Sequence, residues 1–213
     1  MTGTDQTTTT FQAAANGFVQ LAGVVQPSQW GEPALGVWDV RGLVGHTARA
    51  LSTVETYLTR SPGEPTISSP AEYFVAALND RGDSEVRRRQ DDAIAERGHS
   101  EGSSLGPNPI ERLVPLATRI LILVESADAQ ALVLTPFGTI TLANYLPTRT
   151  FELTVHSLDL ARALKIEHPA SLDQAIRSSC ELAGQIAAQR CNSAELLRFF
   201  TGRKTTPEAL SIL

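Results

Sequence analysis

The chain is poor in the residues that usually announce special chemistry. Two of its 213 residues are cysteine and four are histidine. Cys180 and Cys191, read on one helix, stand about three turns and roughly 16 Å apart, too far for a disulfide. No CxxC occurs, so both thiols are expected to be reduced. Basic charge is not in excess. The 18 Lys and Arg against 23 Asp and Glu leave −5, which argues against a general nucleic-acid binder. Long apolar runs are missing too. The most apolar stretch, Leu113 to Val124, contains Arg119 and is too short to span a bilayer. The start, MTGTDQTTTT, lacks the basic and apolar regions of a secretory leader. A cytoplasmic protein is expected, with neither a membrane nor a nucleic-acid partner.

What is present suits one folded domain, residues 1–213, with a sizeable core. Helical spacing recurs along it. After an unordered start at 1–6, apolar residues from Phe11 to Val25 mark a helix over Thr7 to Val25. QPSQWGEPALG breaks it. Asp39 is placed as the N-cap of a second helix reaching Arg60. A loop at 61–69 precedes a helix from Pro70 to Arg97, and GHSEGSSLGPNP reads as a mobile loop at 98–108. The helix from Pro109 to Glu125 is apolar around most of its circumference and is expected buried. Ala131 to Ala143, with Pro136 and Gly138, reads as a hairpin or an extended turn. Helices follow over Leu142 to Leu164, Ser171 to Cys191, and Ser193 to Gly202. The expected class is all-α: a four-helix bundle with extra short helices and a small β-hairpin-like insertion. Its apolar helices leave room for a homodimer.

One helix carries more than packing. In FELTVHSLDLARA, Glu152 and His156 are four residues apart. On a wheel, Tyr145, Arg149, Glu152, His156 and Asp159 share one stripe of roughly 80°, beside a separate stripe of leucines. Residues at i and i+4 stand one above the other, so a carboxylate and an imidazole there can converge on one ion. Such donors suit zinc and other first-row metals. A third ligand is needed, and His46, in GLVGHTARAL of the second helix, can supply it. Three ligands would leave a coordination position open, as in catalytic sites. From spacing alone, a surface or mutually satisfied polar pair is the simpler explanation of Glu152 and His156.

Two longer stretches add to this. WDVRGLVGHTARAL and TPFGTITLANYLPTRTFELTVHSLDLARAL, with LLRFFTGRK near the end, resemble the signatures of the mycothiol-dependent maleylpyruvate isomerase family. The resemblance runs from about Phe11 to Lys204 and is weakest over 61–105. It implies a DinB/YfiT-like four-helix bundle holding a divalent metal on His46, Glu152 and His156, with zinc first, and nickel or another first-row ion as alternatives. It implies mycothiol, the low-molecular-weight thiol of actinobacteria, as cosubstrate. The expected activity is that of a thiol S-transferase in which a metal-bound thiolate attacks a small electrophile. The isomerase proper has a second, C-terminal domain, and with the chain ending at Leu213 isomerisation of maleylpyruvate is not expected. Family members often carry an acidic residue at the position of Gly42. A bundle that binds a metal or small ligand without turnover is the rival from another class. Within the site, Arg149 is a candidate to hold a carboxylate of substrate or thiol, against an ordinary ion pair. Tyr145 is a candidate hydrogen-bond donor to the bound group, against a packed aromatic. Asp159 is a candidate to orient a ligand, against pairing with Arg162 or Lys165. Trp38 reads as a packing anchor.

Overall fold

A computed structural model describes residues 3–58, 64–79 and 84–203. In chain order it has α1 (Gly3–Gly23), a two-strand ladder of β1 (Pro33–Leu35) and β2 (Trp38–Asp39), and α2 (Val40–Leu58). Then come α3 (Pro70–Asn79), α4 (Ser84–Ser104) and α5 (Pro109–Ser126). A hairpin of β3 (Leu132–Thr135) and β4 (Gly138–Thr141) leads into α6 (Leu142–Leu164). The chain closes with α7 (Asp173–Arg190) and α8 (Ser193–Phe200). The architecture is mostly helical, as expected, and DinB-like.

The bundle follows from where the apolar stripes point. α6 packs on α1 and α2, and α5 packs on the same two helices. Phe11 and Phe18 of α1, Leu43 and Leu51 of α2, Leu113 and Ile120 of α5, and Leu153 and Leu160 of α6 are fully buried between them. Each side chain of that size removed from water contributes about 1.5–3 kcal/mol. α7 lies against α6 and α1, and α3 against α7 and α6.

Helix ends obey local chemistry. Asp39 Oδ1 accepts the N–H of Gly42 at 2.7 Å, satisfying a donor that the first turn of α2 leaves open. Thr141 caps α6 by accepting from the N–H of Asn144. The last short helix is capped by Asn192, whose side chain accepts from the N–H of Ala194 and of Glu195.

Several expectations need correction. The start expected to be unordered at 1–6 is helical from Gly3, residues 1–2 lying outside the described part. The helix expected from Pro70 to Arg97 is two helices on either side of 80–83, which lie outside the described residues, as do 59–60 at the expected end of the second helix and 61–63 of the expected loop. The expected mobile loop at 98–108 is helix as far as Ser104. Its glycines serve packing there. A Cβ on Gly45 of α2 would meet the backbone N of Gly102 at 2.1 Å, and one on Gly102 would meet the carbonyl O of Arg41 at 2.6 Å. The α2–α4 crossing is backbone on backbone, which only glycine allows. α5 is amphipathic rather than buried all round. Leu113, Ala117, Ile120 and Val124 form one covered stripe, while Val114 and Ile122 are exposed. The turn at Gly36, with φ +56°, closes a ladder between β1 and β2 in a stretch read only as a helix break.

The hairpin is antiparallel, pairing Leu132 with Thr141 and Thr135 with Gly138. It is anchored sideways: the N–H groups of Thr66 and Ile67 both donate to the carbonyl O of Thr139. Both cysteines are free. Among the described residues, no helix is long and apolar enough to cross a membrane.

Candidate metal centre and its cavity

The α2–α6 contact brings His46 against Glu152 and His156. One ligand atom from each lies within 4.8 Å of the others. The neighbours are ordered by hydrogen bonds and rings. His156 Nε2 lies 3.5 Å from Glu152 Oε2, and His156 Nδ1 lies 3.3 Å from Asp159 Oδ2. Arg162 donates to the other oxygen of Asp159 at 3.3 Å. Asp159 therefore contacts both the His156 ring and Arg162. His46 is different. Its ring stacks on Trp38 with centroids 4.3 Å apart and stands edge-on to His156 at 4.9 Å. Its buried Nδ1 has no hydrogen-bond partner among the described residues.

Burial and neighbouring charges set the protonation of each of these groups. Burial, reinforced by the charge on His156, lowers the pKa of His46 to about 4, so its imidazole is neutral with a free lone pair. Burial alone would raise Glu152. The hydrogen bond from His156 and the charge of Arg149 outweigh it and hold Glu152 at about 2, fully ionised. Burial alone would lower His156, but hydrogen bonds to Asp159 and Glu152 raise it to about 9. To hold a cation, His156 would have to give up that proton. An orphaned buried imidazole nitrogen costs about 1–3 kcal/mol without a partner. Two imidazoles and a carboxylate around one point fit a divalent first-row ion.

The cluster sits at the wall of a cavity of about 860 Å³. Arg49, Ala50, Thr53 and Tyr57 continue the His46 face of α2 along it. Tyr73 and Phe74 of α3, Ile94 of α4 and the hairpin tip Pro136–Phe137 complete the walls, mostly apolar. Arg149 lines it too. It is 9% exposed, its guanidinium lies over the rings of Tyr145 at 4.9 Å and Tyr73 at 5.4 Å, and it donates to Thr148 Oγ1 and the Tyr73 hydroxyl. Burial works against that charge, yet Tyr145, Tyr73 and Glu152 keep Arg149 above the ordinary guanidinium value. Among the described residues no carboxylate reaches ion-pair distance of it. Tyr145 is fully buried, outside the cavity lining, and its hydroxyl donates to Thr53 Oγ1 at 3.1 Å. Burial pushes that hydroxyl well up.

The sequence brought together His46, Arg149, Glu152, His156 and Asp159. It missed Tyr73 and Phe137, which come from elements with no local periodicity toward the site. It undervalued Trp38, whose place beside His46 depends on the β1–β2 turn.

Residues 11–161 match the family model described as the mycothiol maleylpyruvate isomerase N-terminal domain. No curated protein and no solved structure matches the chain. The matched segment covers well over half of the chain and includes all three residues of the His–Glu–His cluster, and so the chain belongs to the mycothiol maleylpyruvate isomerase N-terminal domain family, a DinB-like family.

Proposed function

We propose that the protein is a metal-dependent enzyme of S-transferase type, joining the sulfur of a small thiol, mycothiol in this family, to a small electrophile. The convergence of His46, Glu152 and His156 on one point of a substrate-sized cavity carries this reading. These three residues hold the divalent cation, for which zinc is the first choice by donor type. When bound, it supplies a Lewis acid that favours the thiolate form of a thiol at neutral pH. The chain supplies the rest. Asp159 fixes the His156 ring so that Nε2 faces the cluster. The apolar walls seat the electrophile and exclude water. Arg149 binds a carboxylate on the substrate or thiol, its guanidinium held flat by Tyr73 and Tyr145. Tyr145, with its hydroxyl committed to Thr53, acts by supporting Arg149.

Elemental mass spectrometry of protein purified without a histidine tag is the direct test. About one transition-metal ion per chain is expected, lost in His156→Ala. No metal after supplementation with zinc, nickel and manganese sinks the metalloenzyme. Metal without thiol-dependent turnover of a generic electrophile leaves a ligand-binding bundle.

Arg149→Met tests the anchor. A charge-assisted hydrogen bond contributes about 1.5–3 kcal/mol, so KM for a carboxylate-bearing electrophile rises about tenfold or more. KM for an uncharged electrophile stays near wild type. Equal loss for both removes Arg149 from substrate binding.

A further inference from the structure

We propose that Trp38 is the positioning residue of the metal site, clamped by α4 and in turn holding the His46 ring. The inference rests on the metal-site reading and adds a residue to it. Ligating histidines are ordinarily oriented by a hydrogen bond on the nitrogen that does not bind metal. His156 has one from Asp159. His46 has none among the described residues, on either nitrogen, and its Nδ1 is buried. What restrains its ring is aromatic: the face of Trp38 at 4.3 Å with planes 28° apart, and the edge of His156.

Trp38 is itself fixed on every side. Its backbone pairs with Leu35 in the β1–β2 ladder. Its Nε1–H donates to the carbonyl O of Ala95 on α4 at 3.0 Å. Its ring lies in a slot between two glycines. A Cβ on Gly98 would stand 2.5 Å from Nε1, and one on Gly42 3.1 Å from Cδ1. On the Gly42 side the fit is close but less tight than on the Gly98 side. Both features of the indole are used, the face against His46 and the N–H toward α4. Phenylalanine offers only the first, leucine neither.

The test measures affinity for zinc by competition with a chromophoric chelator, and the absorption spectrum of the cobalt-substituted protein, which reads ligand geometry. Far-UV circular dichroism checks folding. Trp38→Leu is expected to weaken zinc binding about tenfold or more and to change the cobalt spectrum. Trp38→Phe keeps a ring face and falls between leucine and wild type. Gly98→Ala pushes a methyl into the indole and weakens binding with Trp38 intact. It carries the test should Trp38→Leu fail to fold. A merely structural tryptophan would lower the unfolding midpoint and leave the cobalt spectrum of the folded fraction unchanged. Folded variants with wild-type affinity and spectrum overturn this inference alone. A wild type that takes up no metal overturns it together with the proposed function.

Discussion

Glu152→Gln is expected to unload the metal centre and to weaken the metal-free fold by about 3 kcal/mol. Removing one partner from a buried charged cluster typically costs about 3–5 kcal/mol, and the low end applies because 26% of the Glu152 side chain opens onto the cavity it lines. Glutamine keeps the volume and removes the charge that offsets both Arg149 and protonated His156. The pH dependence of the metal-free protein carries the same signature. His156 is raised from 6.5 to about 9, so its contribution is complete below pH 6.5 and lost as pH rises through about 9. Glu152 is lowered from 4.5 to about 2, so its contribution is present above pH 4.5 and lost as pH falls through about 2. His46, lowered to about 4, contributes above pH 6.5 and loses that contribution as pH falls toward 4. Urea midpoints of chelator-treated protein at pH 6.5 and 9 measure the alkaline arm. In Glu152→Gln that arm shrinks, since one of the two hydrogen bonds that raise His156 loses its charge. It does not vanish, because Asp159 remains. A variant with full metal content and wild-type alkaline slope would contradict the assignment of Glu152.

Gly45→Ala is expected to cost about 3 kcal/mol or more, although alanine is the better helix former by about 1 kcal/mol. The added methyl meets Gly102 N at 2.1 Å, Gly102 Cα at 2.5 Å and the carbonyl carbon of Glu101 at 2.8 Å. These are backbone atoms, so no rotamer change relieves the clash, and overpacking penalties of about 1–3 kcal/mol become a lower range. α4 must move away from α2, taking with it the carbonyl that holds Trp38 and the Ile94 wall of the cavity. Gly184→Ala in α7 is the matched control. Nothing lies within 4 Å of its new methyl, and a gain of up to about 1 kcal/mol is expected. Chemical denaturation of both variants decides it. Gly45→Ala as stable as Gly184→Ala would mean that the α2–α4 crossing is looser than this.

These two residues mark what the sequence discloses. Glu152 was legible because a four-residue interval on a strongly periodic helix fixes relative direction without knowledge of the rest of the fold. The same rule placed α6 from Leu142 to Leu164 and put Arg149 and Asp159 beside the pair. Gly45 and Gly102 were not legible as partners. Glycine far along the chain signals a turn in local terms, and only the helix crossing reveals that its missing side chain is needed. The loop expected at 98–108 failed for that reason. The break expected across 26–36 hid a ladder because its strands are two and three residues long. Tyr73, Phe137 and Ile94 reach the cavity from three separate elements, and no single interval encodes that meeting.

The metal-site candidates stand on two helices, while about half of the cavity wall comes from the chain between them. His46 stands on α2, and Glu152 and His156 on α6. Much of the wall around them comes from what lies between: α3, α4 and the hairpin tip at Pro136–Phe137. A scaffold divided this way separates the inheritance of reactivity from the inheritance of taste. Under the proposed function, substitutions at wall positions such as Tyr73, Phe74 and Phe137 would change which electrophile is admitted while His46, Glu152 and His156 keep their register. A protein engineer would vary those wall positions and leave alone the glycines of the α2–α4 crossing.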